Sequence, residues 1–359
     1  MNLIGKKEFS SMLITLMSVK LLLSYPLNLI KNSGNAAWIQ MIFVTLICLL
    51  IFKVTTMLYE KKINIIELAG IHGNKAVRII VGLLIFIALF LNMVSVMRIF
   101  PESVKIVLLP DVETDIIIGV CTLTVFIGAM LGIESAVRIN YIFLPICGIL
   151  LAAFLLLLLP YYKIENILPL FGNGGTNIFL KGISGLSVFS DIIVLNILLA
   201  YSKNIREARD SGYRAIIISG TVGVLTTLVY GLIYPYPVSE NFVLPIYQIT
   251  RMINLSSFFN RFEALFQFIW SILVFLYGTI YVYMLCFVWQ TTFGLKYIRP
   301  LFLPVVLLVS AVALIPQSIM DANNMERVFE NISYPIAFLL PIIIGAIDKR
   351  KGIKENESS

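Results

Sequence analysis

Gly182-Ile183-Ser184-Gly185-Leu186-Ser187-Val188-Phe189-Ser190-Asp191 opens an apolar run that continues to about Tyr201. Two glycines and three serines stand where a membrane-crossing helix should start, and a carboxylate follows. A carboxylate at bilayer depth costs about 3 kcal/mol on insertion scales, so it faces the protein interior and marks a site. Gly and Ser free backbone groups, which is tolerable at that depth only where they are buried in protein or line a cavity. Lys20-Leu21-Leu22-Leu23-Ser24-Tyr25-Pro26 is the matching interruption near the start of the chain. Broken helices in corresponding positions of two halves point to a central site of the kind transporters use.

Composition agrees. The 359 residues are 59% hydrophobic and 13% charged, about half the ~25% charge of soluble domains. Repeated apolar runs of about 20 residues suffice to cross a hydrocarbon core of about 30 Å as helices. The apolar run after Lys6 and Lys7 continues to about Ile30 with no small-residue cleavage site, so the first span is expected to be retained. Cys48, Cys121, Cys147 and Cys286 lie in apolar spans without CxxC spacing, which indicates neither a disulfide framework nor a zinc site. The single histidine, His72, falls in an expected polar loop, which argues against catalytic triads and histidine metal sites. No Gly-rich phosphate cradle or Walker-type lysine is present. No enzymatic activity and no cofactor are expected. The net charge of +7 reads as membrane topology rather than nucleic-acid binding.

Ten spans are expected, at 9–31, 36–59, 76–100, 114–132, 138–160, 182–202, 214–235, 262–290, 300–319 and 332–348. They form one integral-membrane domain over 1–359, with a first repeat at about 9–160 and a second at about 182–348. Five spans per half make the repeats inverted. The expected fold is therefore all-α and polytopic, a 5+5 inverted-repeat transporter architecture with helices 1 and 6 broken. With both termini cytoplasmic, roughly two thirds of the 27 basic residues fall on the inner side. Arg98, Arg251, Arg261 and Arg327 fall in outer segments, and 349–359 is expected to be a disordered cytoplasmic tail. Part of Ile246–Phe259 has helical spacing and can form a short helix over the outer mouth.

Lys20 and Asp191 are the sharpest candidate pair, each inside one interrupted span. They can bind a ligand's charged ends, form a purely structural ion pair, or let Lys20 snorkel to an interface. Ser184, Ser187 and Asp191 share an α-helical face, and Ser24 shares one with Lys20. The alternative for these serines is close helix packing. Trp270, Tyr277 and Tyr281 line up at seven-then-four spacing, as a pocket wall or as an ordinary packed face. Asn92 and Ser95 can face the same pocket. Arg251, Arg261 and Glu263 read as an outer brace.

Phe242-Val243-Leu244-Pro245-Ile246-Tyr247-Gln248-Ile249-Thr250-Arg251-Met252-Ile253, then Phe259 to Phe266 and Trp270, resembles the spore germination permease family. So do Gly132 to Asn140, Ile142-Phe143-Leu144-Pro145, Ala37-Trp38-Ile39 and Asn166 to Leu170. These are the B-type subunits of nutrient germinant receptors, within the amino acid–polyamine–cation superfamily. The resemblance implies a sensor of a small nutrient such as an amino acid, placed in the spore inner membrane. It also implies an A-type membrane subunit and a C-type lipoprotein as partners, besides membrane lipids. The chain departs from many relatives in lacking a Gly-rich break in span 1 and a Glu before Pro in span 6. Lys20, Ser24, Tyr25, Ser187 and Asp191, with Tyr277 and Tyr281, are the expected ligand-binding residues. A proton-coupled amino acid secondary transporter is the alternative, because it would use the same site.

Overall fold

The computed structural model describes residues 5–59, 62–253 and 262–357, and for 352–357 the backbone alone. The helices in order are α1 (Lys6–Leu21), α2 (Tyr25–Ser33), α3 (Ala37–Leu58), α4 (Ile65–His72), α5 (Lys75–Val107), α6 (Thr114–Leu131) and α7 (Ile133–Leu157). There follow α8 (Gly175–Phe179), α9 (Ile193–Leu198), α10 (Ile205–Ile233), α11 (Pro245–Thr250), α12 (Phe262–Phe293), α13 (Phe302–Ala313) and α14 (Ile319–Glu357). There is no strand among the described residues.

Local chemistry sets both interruptions. Between α1 and α2 the chain makes a turn over Leu22, Leu23 and Ser24, and Pro26 sits in the first turn of α2. Proline has no N–H to bond the carbonyl four residues back and its ring crowds that carbonyl, so α1 must end here. Its fixed φ suits the start of a new helix. In the sixth span, Lys181–Ile192 winds as twelve residues of 3-10 helix before α9. Such runs rarely exceed four residues. Two glycines and three serines among these twelve have weak α preference, which lowers the cost of the tighter winding.

Eight helical stretches among the described residues are long and apolar enough to cross a membrane, Tyr25–Leu58 counting as one. Taking α1 with α2 as one broken span, α3 as the next, and the shorter apolar stretch Arg299–Ala313 brings the crossings to ten. The 3-10 span packs against α1, α3 and α14, while α5 packs on α12 and α14. Small residues let α10 come close. A Cβ on Gly223 would stand 2.6 Å from Met41 Cε and 2.9 Å from Leu21 Cδ2.

Several boundaries differ from the sequence reading. The last span starts at Ile319 rather than 332 because Ser318 caps it, its Oγ accepting from Asp321 N at 3.1 Å. Arg327, expected in an outer loop, is therefore on α14. Arg98 belongs to α5, which continues through Pro101 to Val107, and pairs with Glu102 at 2.7 Å. His72 ends a short helix, α4, capped by Asn64, and bonds Asp348 at 2.6 Å. The 349–359 tail is not a disordered segment throughout. The last helix continues to Glu357, and Lys351 Nζ donates to the His72 carbonyl at 2.6 Å. Of the expected helix over 246–259, α11 covers Pro245–Thr250, and 254–261, with Arg261, lie outside the described residues. Arg251 rests over the Tyr247 ring at 5.7 Å.

Candidate functional site

The end of α1 and the 3-10 span meet at the centre of the bundle. Lys20, on the last turn of α1, places Nζ 3.0 Å from Asp191 Oδ2. It also donates to Ser190 Oγ at 3.0 Å and to the Ser187 carbonyl at 3.3 Å. Lys20 is 3% exposed and Asp191 0%. Two opposite charges so far from solvent require each other, because an unpaired one would carry an uncompensated desolvation cost. Asp191 Oδ1 accepts from the Tyr281 hydroxyl of α12. Asn92 of α5 donates to Ser190 Oγ at 3.1 Å and lies 3.5 Å from Asp191 Oδ1. Tyr277 stacks on Tyr281 with ring centres 4.4 Å apart and planes at 22°. The aromatic pair thus walls one side of the ion pair.

Tyr25, at the start of α2, donates its hydroxyl to the Gly185 carbonyl. Gly185 has to be small there, since a Cβ would lie 2.8 Å from Val44 Cγ2 and 3.0 Å from the Tyr25 hydroxyl. Ser24, in the break itself, donates to Glu326 Oε2 of α14 at 2.5 Å. That contact ties the interruption of helix 1 to the last helix.

A cavity of about 490 Å³ lies beside this network, between α2, the first turns of the 3-10 span and α14. Tyr25, Ser187, Glu330 and Arg327 are among its lining residues. Of the seven expected ligand-binding residues, Tyr25 and Ser187 line the cavity. Lys20, Asp191 and Tyr281 form the hydrogen-bonded network next to it, with Tyr277 against Tyr281 and Ser24 on Glu326. Asn92 joins them, as its spacing anticipated, whereas Ser95 bonds back to the Leu91 carbonyl at 3.0 Å. Ser184 lines the cavity mouth and donates to the Lys181 carbonyl at 2.8 Å. Trp270 does not join the tyrosines; it packs edge-on against Phe100 and lines an apolar groove.

Three polar residues escaped the sequence reading. Ser190 did because an α-helical wheel was applied to a 3-10 helix. A three-residue repeat puts Ser184, Ser187 and Ser190 in one column, one turn apart. Glu326 and Glu330, both buried, fell in a stretch read as a loop. Two signals mark them. Ser318-x-x-Asp321 is a capping pattern. Asn323, Glu326, Glu330 and Ser333 follow a 3-4-3 spacing, all buried on one face of α14.

In overall fold the chain is similar to the manganese transporter of Eremococcus coleocola. Two of its point mutants match at TM-scores of 0.57 and 0.59 with 13% and 14% identity. Its complex with an aromatic bis-isothiourea substituted compound matches at 0.56 with 14% identity. In each case 94% of this chain aligns with 78% of the other. The class is thereby defined as an all-α membrane protein of the inverted-repeat transporter fold, with helices 1 and 6 broken at the centre. The family follows from the sequence. Residues 4–324 match the spore germination protein family, and the chain belongs to it. No curated protein matches the chain in sequence.

Proposed function

We propose that this chain is the membrane subunit of a nutrient germinant receptor of spores, a non-enzymatic sensor of a small nutrient such as an amino acid. The observation that carries the reading is the buried Lys20–Asp191 pair where the two broken helices meet, beside a cavity of about 490 Å³ with a polar lining. That volume lies within the usual range for small-molecule sites. Ligand in the cavity would touch α2, the 3-10 span and α14 at once. A ligand with higher affinity for one arrangement of these elements shifts the population toward it. An A-type membrane subunit and a C-type lipoprotein would receive that shift.

The proposed site is the spore inner membrane, with both termini cytoplasmic. Lys6, Lys62, Lys203 and Lys351 gather at the end of the bundle where α1 begins, in contacts with Asp210, the Lys203 carbonyl and His72. That is the bias the positive-inside rule requires of the cytoplasmic end. The cavity then opens outward.

One observation favours a second reading. Glu326 and Glu330 are buried one helical turn apart, and a carboxylate pair on the ligand path can carry protons, as in a proton-coupled amino acid transporter. Binding and uptake separate the two. With purified protein in liposomes and a panel of labelled amino acids, saturable binding without accumulation supports the receptor. Accumulation driven by a proton gradient overturns it in favour of the transporter.

A further inference from the structure

The interior around the helix breaks holds more acidic than basic side chains. Lys20 is its buried cation, and Asp191, Glu326 and Glu330 are its buried carboxylates. Lys20 is already committed at 3.0 Å to Asp191. Glu326 has the Ser24 hydroxyl. Glu330 is the carboxylate left over. It is 6% exposed, it lines the cavity with Ser187 beside it, and its Oε1 accepts no hydrogen bond among the described residues. A buried carboxylate in that condition calls for a cation or a proton.

The opposite charge stands near the mouth. Arg327 lies three residues from Glu330, on the same side of α14, and Lys181 lies at the start of the 3-10 span. Both are exposed and both line the cavity. The cavity is therefore polarised, with a carboxylate enclosed in its wall and guanidinium and ammonium groups toward solvent. Asn28, Asn32 and Asn331 add neutral polar groups between them.

We infer that Glu330 binds the ammonium group of the nutrient and that Arg327 receives its carboxylate, so that α14 rather than the Lys20–Asp191 pair reads the charged ends of an amino acid. This rests on the ligand-sensing reading above and deepens it. The ligand class is a primary ammonium compound, and an amino acid is the member that uses both poles. Ligand bound in this way adds a cation to a region where buried carboxyl groups outnumber buried amines. It also pulls on α14, whose Glu326 is bonded to the break of helix 1 through Ser24. The ion pair would remain closed during binding.

The test is equilibrium binding of labelled amino acids to the full chain in liposomes, with n-butylammonium and butyrate as competitors. Unmodified protein is expected to bind amino acids, with n-butylammonium displacing them and butyrate doing so at least tenfold less well. Glu330→Gln should weaken amino acid binding at least tenfold, and Glu330→Asp should recover part of the loss. Arg327→Gln should weaken amino acid binding while leaving the affinity for n-butylammonium within about threefold, a change of about 0.7 kcal/mol. The competitor series needs no variant, so it decides the ammonium preference even where Glu330→Gln fails to fold. Wild-type affinity in Glu330→Gln together with lost binding in Asp191→Asn would overturn the inference and leave the sensor reading intact. Amino acid binding displaced equally well by butyrate would also overturn it. Failure of unmodified protein to bind any amino acid would bring down the sensor reading, and the inference with it.

Discussion

Asp191 has a counter-charge, Lys20 Nζ at 3.0 Å from its Oδ2, and the Tyr281 hydroxyl and Asn92 amide on its Oδ1, whereas Glu330 Oε1 has neither a donor nor an ion-pair partner among the described residues. The two carboxylates belong to the same interior and differ in what surrounds them. Asp191, on the 3-10 span, lies where α1, α5 and α12 converge on it, each of the three supplying a partner. Glu330 lies at a cavity wall, where one side of the side chain has no protein to meet it. A completed network fixes the relative position of the helices that make it. An incomplete one at a cavity is where binding energy remains to be gained. The ion pair therefore reads as the joint of the two broken helices, and Glu330 as the group that meets the ligand.

The largest effect that can break this contrast comes from removing half of the ion pair. Lys20→Ala should lower unfolding stability in detergent by about 3–5 kcal/mol, because it strands Asp191. The double substitution Lys20→Met with Asp191→Leu should recover most of that loss, since an apolar pair of similar volume needs no partner. A double variant as unstable as Lys20→Ala would show that the charges act separately. Tyr281→Phe comes next, with about 1.5–3 kcal/mol expected from losing a hydrogen bond to a charged group. Denaturant unfolding of that variant beside Tyr277→Phe sharpens the point, because Tyr277 makes no hydrogen bond to Asp191 and should cost less. Ser24→Ala should be milder, about 1–2 kcal/mol, and should weaken the response of helix 1 to ligand on α14. Site-specific labels on α2 and α14 would show whether their ligand-induced movements become uncoupled.

The ion pair was legible in the sequence because a charge inside an apolar run is rare and each partner interrupted its own span. The break at Pro26 was legible for the same local reason, a missing N–H. The contribution of α14 was hidden because Asp321, Asn323, Asn324, Glu326, Arg327, Glu330 and Asn331 depress hydropathy until the segment reads as a loop. Hydropathy averages over a helix, while only one face of α14 carries Glu326 and Glu330 into the interior. Arg98 was misplaced by the same averaging, its charge being met inside α5 by Glu102 one turn later. Ser190 was lost to the winding of the 3-10 span, a property set by the whole Gly-Ser stretch and its packing rather than by any one residue.

The contrast between the two carboxylates is tested most directly by unfolding Asp191→Asn and Glu330→Gln side by side in the same detergent, without ligand. A loss is predicted for the first variant alone. Asp191→Asn loses about 3 kcal/mol because Lys20 is left without its counter-charge, while Glu330→Gln keeps wild-type stability or gains on it, since it replaces a buried acid whose Oε1 has no donor among the described residues. Equal losses in both variants would contradict it, and would make Glu330 a second structural partner rather than the group reserved for the ligand.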